Sequence, residues 1–285
     1  MERIKIITDS AADIPAELAQ KYNITVLPLC VVIDGKVYYE GRDFTPREYY
    51  KLMSELKEIP TTSMVPAEML RQEFEKNLTE YDKQIYVTIS AKSSGGYQAA
   101  HLMKTQLEEE TGKPSNITIL DSKSFTMVYG RIVIKMAQMA ADGCSYDEII
   151  NYFNTEMPKS TAFFMVDDLI HLKKGGRINP GVAILGTLLN IKPILTINDG
   201  LVDAYKKERG KNRALENMVN YAIEQMSDPS ENEIWIANGY ADEDCAVVTE
   251  KLKAKITPKS ISHCEIGCVI GTHAGPGLVG IIFSK

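Results

Sequence analysis

The first half of the chain alternates short apolar runs with longer stretches of helical periodicity, and this alternation limits the possible folds more than any other feature. IKII at 4–7, IYVTIS at 85–90 and ITIL at 117–120 have the length and composition of buried strands, whereas residues 96–110 and about 124–141 have the spacing of helices. Strands that alternate with helices predict parallel βαβ units with helices on both faces. We therefore expect an α/β fold whose N-terminal domain contains a Rossmann-like parallel sheet.

A hairpin and two more helices are expected within the same half. The apolar run at 24–33 meets VYYE at 37–40 across Asp34-Gly35, a typical two-residue hairpin turn. Residues 45–58 and 66–78 have the periodicity of amphipathic helices.

The second half has a different pattern. Asn198-Asp199-Gly200 is a tight turn between two strand-like runs, so at least part of the second sheet should be antiparallel. We place the domain boundary near residue 158, which gives an N-terminal α/β domain at 1–158 and a C-terminal α/β domain with a mixed or antiparallel sheet at 159–285. Strands are expected at 161–169, 192–197, 201–206, 233–238 and 263–270, and helices near 211–226 and 241–253.

Charge and cysteine content restrict the class of protein. The net charge of −6 argues against a nucleic-acid-binding surface, which needs a basic stripe. The chain opens directly into a strand-like run without a signal segment, and no apolar stretch approaches the roughly 20 residues that span a bilayer. Five scattered cysteines, an odd number, are typical of a reducing compartment. We expect a cytoplasmic protein with no transmembrane segment, for which transient membrane contact stays open.

Small polar residues follow several of the predicted strands. Ligands of open parallel sheets bind beyond the carboxyl ends of the strands, and hydroxyls with free N–H groups before a helix suit an anionic head group. Each cluster alone is more simply a helix cap or a turn. Together they favour an anion site. The clusters are Thr8-Asp9-Ser10, Ser90 to Ser94 with Gly95-Gly96, Asp121-Ser122, Thr272-His273-Ala274-Gly275, and Thr61-Thr62-Ser63 before a predicted helix.

Familiar catalytic and cofactor motifs are missing or out of context. The chain has neither a G-x-S-x-G nucleophile turn nor a G-x-x-x-x-G-K-[ST] phosphate loop. The run from Gly275 to Gly280 matches G-x-G-x-x-G, but only five residues follow it, too few for the helix and strand that a dinucleotide site needs. A Ser94–His273–Asp9 triad stays open, because spacing cannot test its geometry.

A metal site is not expected either. Cys264 and Cys268 lie on a predicted strand, about 13 Å apart at roughly 3.3 Å per residue, which is too far for one zinc ion. We therefore predict neither a metal nor a cofactor.

Two basic segments stand out in an acidic chain. Lys173-Lys174-Gly175-Gly176-Arg177 and the run from Lys206 to Lys211, which includes Arg209, are either solvated turns or a surface for an anionic group such as phosphate.

The motifs as a set resemble the DegV family over nearly the whole chain. DegV-like proteins are two-domain α/β proteins that bind long-chain fatty acids, and some serve as the acyl-binding subunit of a bacterial fatty acid kinase, presenting the carboxylate to a separate ATP-binding partner. The resemblance therefore implies a non-catalytic lipid-binding protein that holds a palmitate-like tail between its two domains. The matching stretches are TDSAADIP near the start, PTTS at 60–63, SSGGYQAA at 93–100, LDS at 120–122, VDDLIHLKKGGRI at 166–178, LGTLLNIKPIL at 185–195 and IGTHAGPG at 270–277.

The resemblance also implies roles for individual residues. Thr62 and Ser94 match the hydroxyls that bind the carboxylate, Gly95 can add a backbone N–H, and His273 matches a histidine close to the head group. Arg177 and Arg209 match basic positions that face the kinase or the transferred phosphate. Further candidate pocket residues are Asp9, Ser10, Ser63 and Met64.

This chain departs from the family pattern at Met64 and Val65, where relatives often have glutamine and proline, and at Gly96, where they often have threonine. The hydroxyls are kept, so the departures bear on tunnel shape rather than on carboxylate binding. Two alternatives stay open: an acyl or phosphoester hydrolase that uses Ser94 and His273, and a module that binds a small sugar or phosphate.

Overall fold

The computed structural model describes residues 2–183 and 191–285, and it confirms the α/β class. The motif predicted at 185–195 lies partly outside the described residues. The strands are β1 (Ile4–Asp9), β2 (Thr25–Leu27), β3 (Cys30–Ile33), β4 (Lys36–Tyr39), β5 (Thr61–Ser63), β6 (Lys83–Thr88), β7 (Ile117–Asp121), β8 (Ser160–Met165), β9 (Ile191–Asn198), β10 (Leu201–Arg209), β11 (Glu233–Gly239), β12 (Ser260–Glu265) and β13 (Leu278–Ser284). The helices are α1 (Ala16–Lys21), α2 (Pro46–Glu55), α3 (Ala67–Glu80), α4 (Gly96–Thr111), α5 (Met127–Ala141), α6 (Tyr146–Glu156), α7 (Ile170–Gly175), α8 (Pro180–Ala183), α9 (Lys211–Gln225), α10 (Asp242–Lys255) and α11 (Cys268–Ala274).

The first half forms the expected parallel sheet. Its order is β2-β1-β6-β7, and every neighbouring pair runs parallel. The strands are apolar because both faces are covered, as in other parallel sheets. Their carboxyl ends therefore point to one edge, which carries Asp9, Ser90 and Asp121.

The predicted hairpin is correct, and it belongs to a small second sheet. β3 and β4 pair antiparallel around Asp34-Gly35, and β5 joins the other side of β3 so that Thr62 lies opposite Val31. β5 was not expected, because three hydroxyl residues between a proline and a helix have no apolar alternation. The pairing with β3 fixes the orientation of Thr62.

The second half forms a six-stranded mixed sheet with the order β10-β9-β8-β13-β11-β12. The turn at 198–200 joins β9 to β10 in an antiparallel pair, as predicted. Only β11 and β12 among the pairs of this sheet run parallel. β13 was not predicted, because its Gly280 belongs to the run from Gly275 that matches G-x-G-x-x-G.

The predicted strand at 263–270 is wrong in its second part. β12 ends at Glu265 and α11 begins at Cys268. The reason lies in the first half of the chain, where two carboxylates accept hydrogen bonds from the start of α11: Gly267 N–H donates to Asp13 (3.0 Å) and Val269 N–H to Glu40 (2.7 Å). A helix start supplies such free N–H groups, whereas a continued strand does not.

Two predictions change with this correction. Thr272 and His273 lie in the last turns of a helix rather than after a strand. The 13 Å argument about Cys264 and Cys268 no longer applies, although both side chains are buried. Across residues 2–183 and 191–285, no three His, Cys, Asp or Glu side chains are grouped to hold a metal ion.

The basic turn at 173–177 is also partly helical. Lys173 and Lys174 occupy the last turn of α7, and Gly176 ends the helix at φ 68°, in the left-handed region that glycine favours. Among the described helices, none is both long and apolar enough to cross a bilayer.

The six-stranded sheet has two different faces. On one face, Phe163, Met165, Ile281 and Phe283 pack against α9 and α10 in a dense apolar cluster. On the other face, the alternate residues of the same strands point toward the first half of the chain. That second face positions the site.

Candidate functional site

A cavity of about 370 Å³ lies between the six-stranded sheet and elements of the first half. This volume is in the range of small-molecule sites, about 300–1,000 Å³. We call the side formed by the sheet the sheet wall. Its lining residues are Ala162, Phe164, Ile197, Val202, Ala237, Leu278, Gly280 and Ile282.

The opposite side, which we call the helix wall, is also largely apolar. It is formed by α11, through Val269 and Ile270, and by three segments of the first half, through Leu29, Ile89 and Phe125. Ile266, just before α11, is fully buried and lines the cavity as well. An apolar channel with so few polar groups favours a hydrocarbon ligand.

Polar side chains gather at one end of the cavity. Thr62 Oγ1 lies 2.8 Å from Nε2 of His273, which joins β5 to α11 across the two halves of the chain. Ser94 and Arg177 line the same end. The structure thus brings Thr62, Ser94 and His273, which the resemblance implied at the head group, close to Arg177, which was expected to face the kinase or the transferred phosphate.

His273 is uncharged at neutral pH. Burial, with help from the charge of Arg177 and from His171, lowers the pKa of His273 from 6.5 to about 4. The neutral ring offers one donor and one acceptor. When Nε2 carries the proton and donates it to Thr62, the threonine hydroxyl is free to donate to a ligand oxygen.

Gly175 makes room for this imidazole. A Cβ at Gly175 would lie 2.2 Å from Nδ1 of His273, far inside van der Waals contact. The glycine in the basic segment is therefore needed for space beside the histidine.

Ser94 precedes the first turn of α4. Its Oγ accepts a long hydrogen bond from Gly96 N–H (3.3 Å), and its own hydroxyl proton remains available to a ligand. Gly95 is the N-cap residue of this 16-residue helix and also lines the cavity. Free N–H groups and the helix dipole at this position favour an anion.

Arg177 adds a full positive charge to the same end. Its Nε donates to the carbonyl of Ser93 (3.0 Å), and another of its nitrogens donates to the carbonyl of Gly175. The expectation that Arg177 belongs to a surface segment is incomplete, because the side chain also lines the cavity.

Asp9 and Ser10 do not line the cavity but hold residues that do. Asp9 accepts hydrogen bonds from Ile89 N–H (2.8 Å) and from the Tyr129 hydroxyl (2.6 Å). Ser10 Oγ accepts from Leu29 N–H (2.9 Å) and donates to Glu40. Burial raises the pKa of Asp9 to about 6. Both residues therefore support the helix wall from behind, which corrects their placement as pocket residues.

The other candidates are spread more widely. Ser63 and Met64 line the polar end and are exposed at its mouth, where the sulfur of Met64 lies near Gly95. Arg209 lies seven residues along β10 from Val202, about 23 Å at 3.3 Å per residue, so it is far from the polar end. Asp121 and Ser122 line a separate cleft of about 440 Å³.

The Ser94–His273–Asp9 triad is not assembled. Asp9 is engaged by Tyr129 and Ile89, and His273 pairs with Thr62, so within the described residues no carboxylate orients the imidazole toward Ser94. This geometry gives no support to a serine hydrolase.

Comparison with known proteins decides the family. The DegV family model matches residues 3–285. The chain belongs to the DegV family. A DegV domain-containing protein of Caldanaerobacter subterraneus subsp. tengcongensis is 34% identical over 285 residues, which cover 100% of both chains.

Solved DegV structures have the same fold. The DegV protein of Bacillus subtilis, described as a fatty acid binding protein, is 29% identical, with a TM-score of 0.88 over 100% of this chain and 99% of its own. A stearic acid-binding protein of Eubacterium ventriosum is 26% identical, with a TM-score of 0.90 over 100% of this chain and 98% of its own.

Most of the residues that line the cavity of this DegV-family chain could not be identified from the sequence. Phe164 and Phe163 are neighbours of the same type, yet only Phe164 faces the cavity. Alternation along β8 is the signal that separates them. Leu29, Phe125 and Ile266 carry no such signal, because isolated apolar residues beside turns look like ordinary core.

Proposed function

We propose that this DegV-family protein binds a palmitate-like long-chain fatty acid, with its carboxylate on Thr62 and Ser94 and its tail in the apolar part of the cavity. The observation that carries the proposal is the division of one cavity into a polar end and an apolar channel. The family membership supports the same ligand class, because solved relatives are described as fatty acid binding proteins.

The energetics fit this ligand. Burial of one CH₂ group contributes about 0.8 kcal/mol, so fourteen groups contribute about 11 kcal/mol before the cost of association. The tail therefore supplies most of the affinity. The head group needs only enough hydrogen bonds to offset its desolvation, and two hydroxyls with the start of α4 meet that need.

We further propose that the protein is not an enzyme alone and presents the acid, in the cytoplasm, to a separate kinase. A carboxylate oxygen would attack the γ-phosphorus of ATP, the bond to ADP would break, and an acyl phosphate would form. Ser63, Met64 and Gly95 are exposed beside the polar end, which supports access of a partner to the carboxylate. Arg177 beside the head group is suited to the negative charge that develops there.

Native mass spectrometry of the protein purified from a lipid-replete host tests the binding step. We expect an added mass equal to a fatty acid near C16–C18. Thr62→Ala and Ser94→Ala should each weaken binding by about 1–3 kcal/mol, because a buried acceptor loses a donor. A protein that carries no acid, or two variants with unchanged affinity, would reject the ligand or the head-group site, respectively.

The kinase step needs its own test. Arg209→Ala should leave fatty acid affinity unchanged and reduce acyl-phosphate formation when an ATP-binding fatty acid kinase subunit is added. Arg177→Ala should reduce both. Acyl-phosphate formation by the protein with ATP alone would show that it is itself an enzyme.

A further inference from the structure

The cavity crosses the six-stranded sheet from one side toward the other. Its sheet wall uses residues of β10, β9, β8, β13 and β11, which are adjacent in that order. Five adjacent strands have four spacings of about 4.8 Å, so the lined width is about 19 Å. The sheet wall of the cavity therefore extends across these five strands.

Two residues of the polar end, Arg177 and Ser94, lie on the β10 side. Val202 of β10 donates its N–H to the carbonyl of Arg177 (3.1 Å), and Arg177 reaches the carbonyl of Ser93 next to Ser94. A tail that starts beside Ser94 and Arg177 and follows the sheet wall extends toward β11. It passes Ala162 on β8 and Gly280 on β13, and then reaches Ala237 on β11.

The cavity stops between β11 and β12. None of the six residues of β12 lines it, although Ala237 pairs directly with Cys264 of that strand. The next residue after β12 that lines it is Ile266. Immediately behind Ile266, Asp13 and Glu40 hold the N–H groups of Gly267 and Val269, so a polar cluster lies beyond the apolar end wall.

We propose that the six-stranded sheet measures the length of the bound chain, with Ala237 and Ile266 stopping its terminal methyl group. An extended alkyl chain advances about 1.25 Å per C–C bond, given a bond of about 1.52 Å and a near-tetrahedral angle. A width of about 19 Å then holds about 15 bonds, the length of a C16 acid. This inference rests on the proposed binding of a fatty acid and adds the residues that set its length.

Each strand of the sheet wall lies at a different distance from the carboxylate along the bound alkyl chain. β8 lies two spacings from β10, about 10 Å or eight bonds, whereas β11 lies four spacings away. A larger side chain at β11 should therefore block only long chains, and the same change at β8 should block shorter ones too. Ala162 and Ala237 offer this matched pair, because both are alanines on the sheet wall.

The experiment compares the affinities of the wild-type protein, Ala237→Leu and Ala162→Leu for saturated C12, C16 and C20 acids. Ala237→Leu should weaken C16 binding at least tenfold and change C12 binding less than threefold. Ala162→Leu should weaken both at least tenfold. Equal losses of C12 and C16 in Ala237→Leu would overturn the proposal.

The end wall is tested in the opposite direction. Ile266→Ala should improve the ratio of C20 to C16 affinity at least tenfold. Ile266→Val should improve this ratio by a smaller factor, because it removes a single methylene. It is also the safer variant for folding. An unchanged ratio in both would overturn the proposal. A wild-type protein that binds none of the three acids would instead reject the proposed function itself.

Discussion

The two faces of the six-stranded sheet are built from the same strands but differ in what they leave unfilled. The face under α9 and α10 carries large apolar side chains such as Phe163, Met165 and Phe283, and they fill the space to the helices. The opposite face carries Ala162, Ala237 and Gly280 at alternate positions, and a cavity of about 370 Å³ remains. Alternation of side chains along a strand allows the two faces to carry residues of different size.

The faces also differ in buried polar groups. On the cavity side Asp9 and Glu40 are buried and His273 is half-buried, whereas buried Glu208 accepts a hydrogen bond from Tyr221 of α9 and Thr249 lies buried on α10. The polar groups on the cavity side thus hold the walls of the cavity in place. The face against α9 and α10 supplies stability instead.

The largest expected contrast comes from neighbouring residues on opposite faces. Phe283→Ala should lower the free energy of unfolding by about 3–5 kcal/mol, because it opens a hole in a filled core. Ile282→Ala should lower it by about 2 kcal/mol, since Ile282 already borders a cavity and has fewer contacts to lose. Chemical denaturation measures both, and a larger loss for Ile282→Ala would contradict the comparison.

The pH dependence of stability should come from the cavity side. The pKa of Asp9 is raised to about 6 in the folded state, so its contribution to stability is present at low pH and is lost as pH rises from about 4 to 6. The pKa of His273 is lowered to about 4, so its contribution is present above the unfolded value of 6.5 and is lost as pH falls from there to about 4. Between about pH 4 and 6.5, the contributions of Asp9 and His273 to stability therefore change with pH in opposite directions.

Substitutions should separate these slopes. Between pH 4 and 6.5, the wild-type stability relative to Asp9→Asn should fall by about 3 kcal/mol as pH rises, and relative to His273→Gln it should increase by about the same amount. Urea denaturation at each pH gives both differences. Two differences with the same sign would mean that one of these groups is not buried as described.

The smallest expected effect concerns space beside the head group. Gly175→Ala should push the His273 ring away from Thr62 and weaken fatty acid binding by about 1–2 kcal/mol, because the hydrogen-bonded pair is broken. Gly181→Ala is the matched control, since its added methyl group meets no atom within 4 Å among the described residues outside its own helix and chain neighbours. Equal affinities of the two variants would show that the imidazole is free to move.

The sequence predicts the elements with regular patterns better than the cavity between them. Strand–helix alternation identified the parallel sheet, and Asp34-Gly35 identified the hairpin. Thr62 and Ser94 belong to hydroxyl clusters that suit an anion, and the resemblance to the DegV family implied their role at the carboxylate. α11 was missed, because its start depends on Asp13 and Glu40, more than 200 residues earlier in the chain. Long-range contacts of this kind leave no local pattern.

The polar end of the cavity has a consequence for the chain as a whole. Thr62 and Ser94 come from the first half, whereas His273 and Arg177 come from the second, so one carboxylate would be shared between distant parts of the polypeptide. A ligand held in this way binds the folded state only, and at a hundredfold excess over its dissociation constant it would stabilise that state by about 2.7 kcal/mol. The melting temperature of this protein should therefore report its lipid supply, with unloaded molecules the first to unfold.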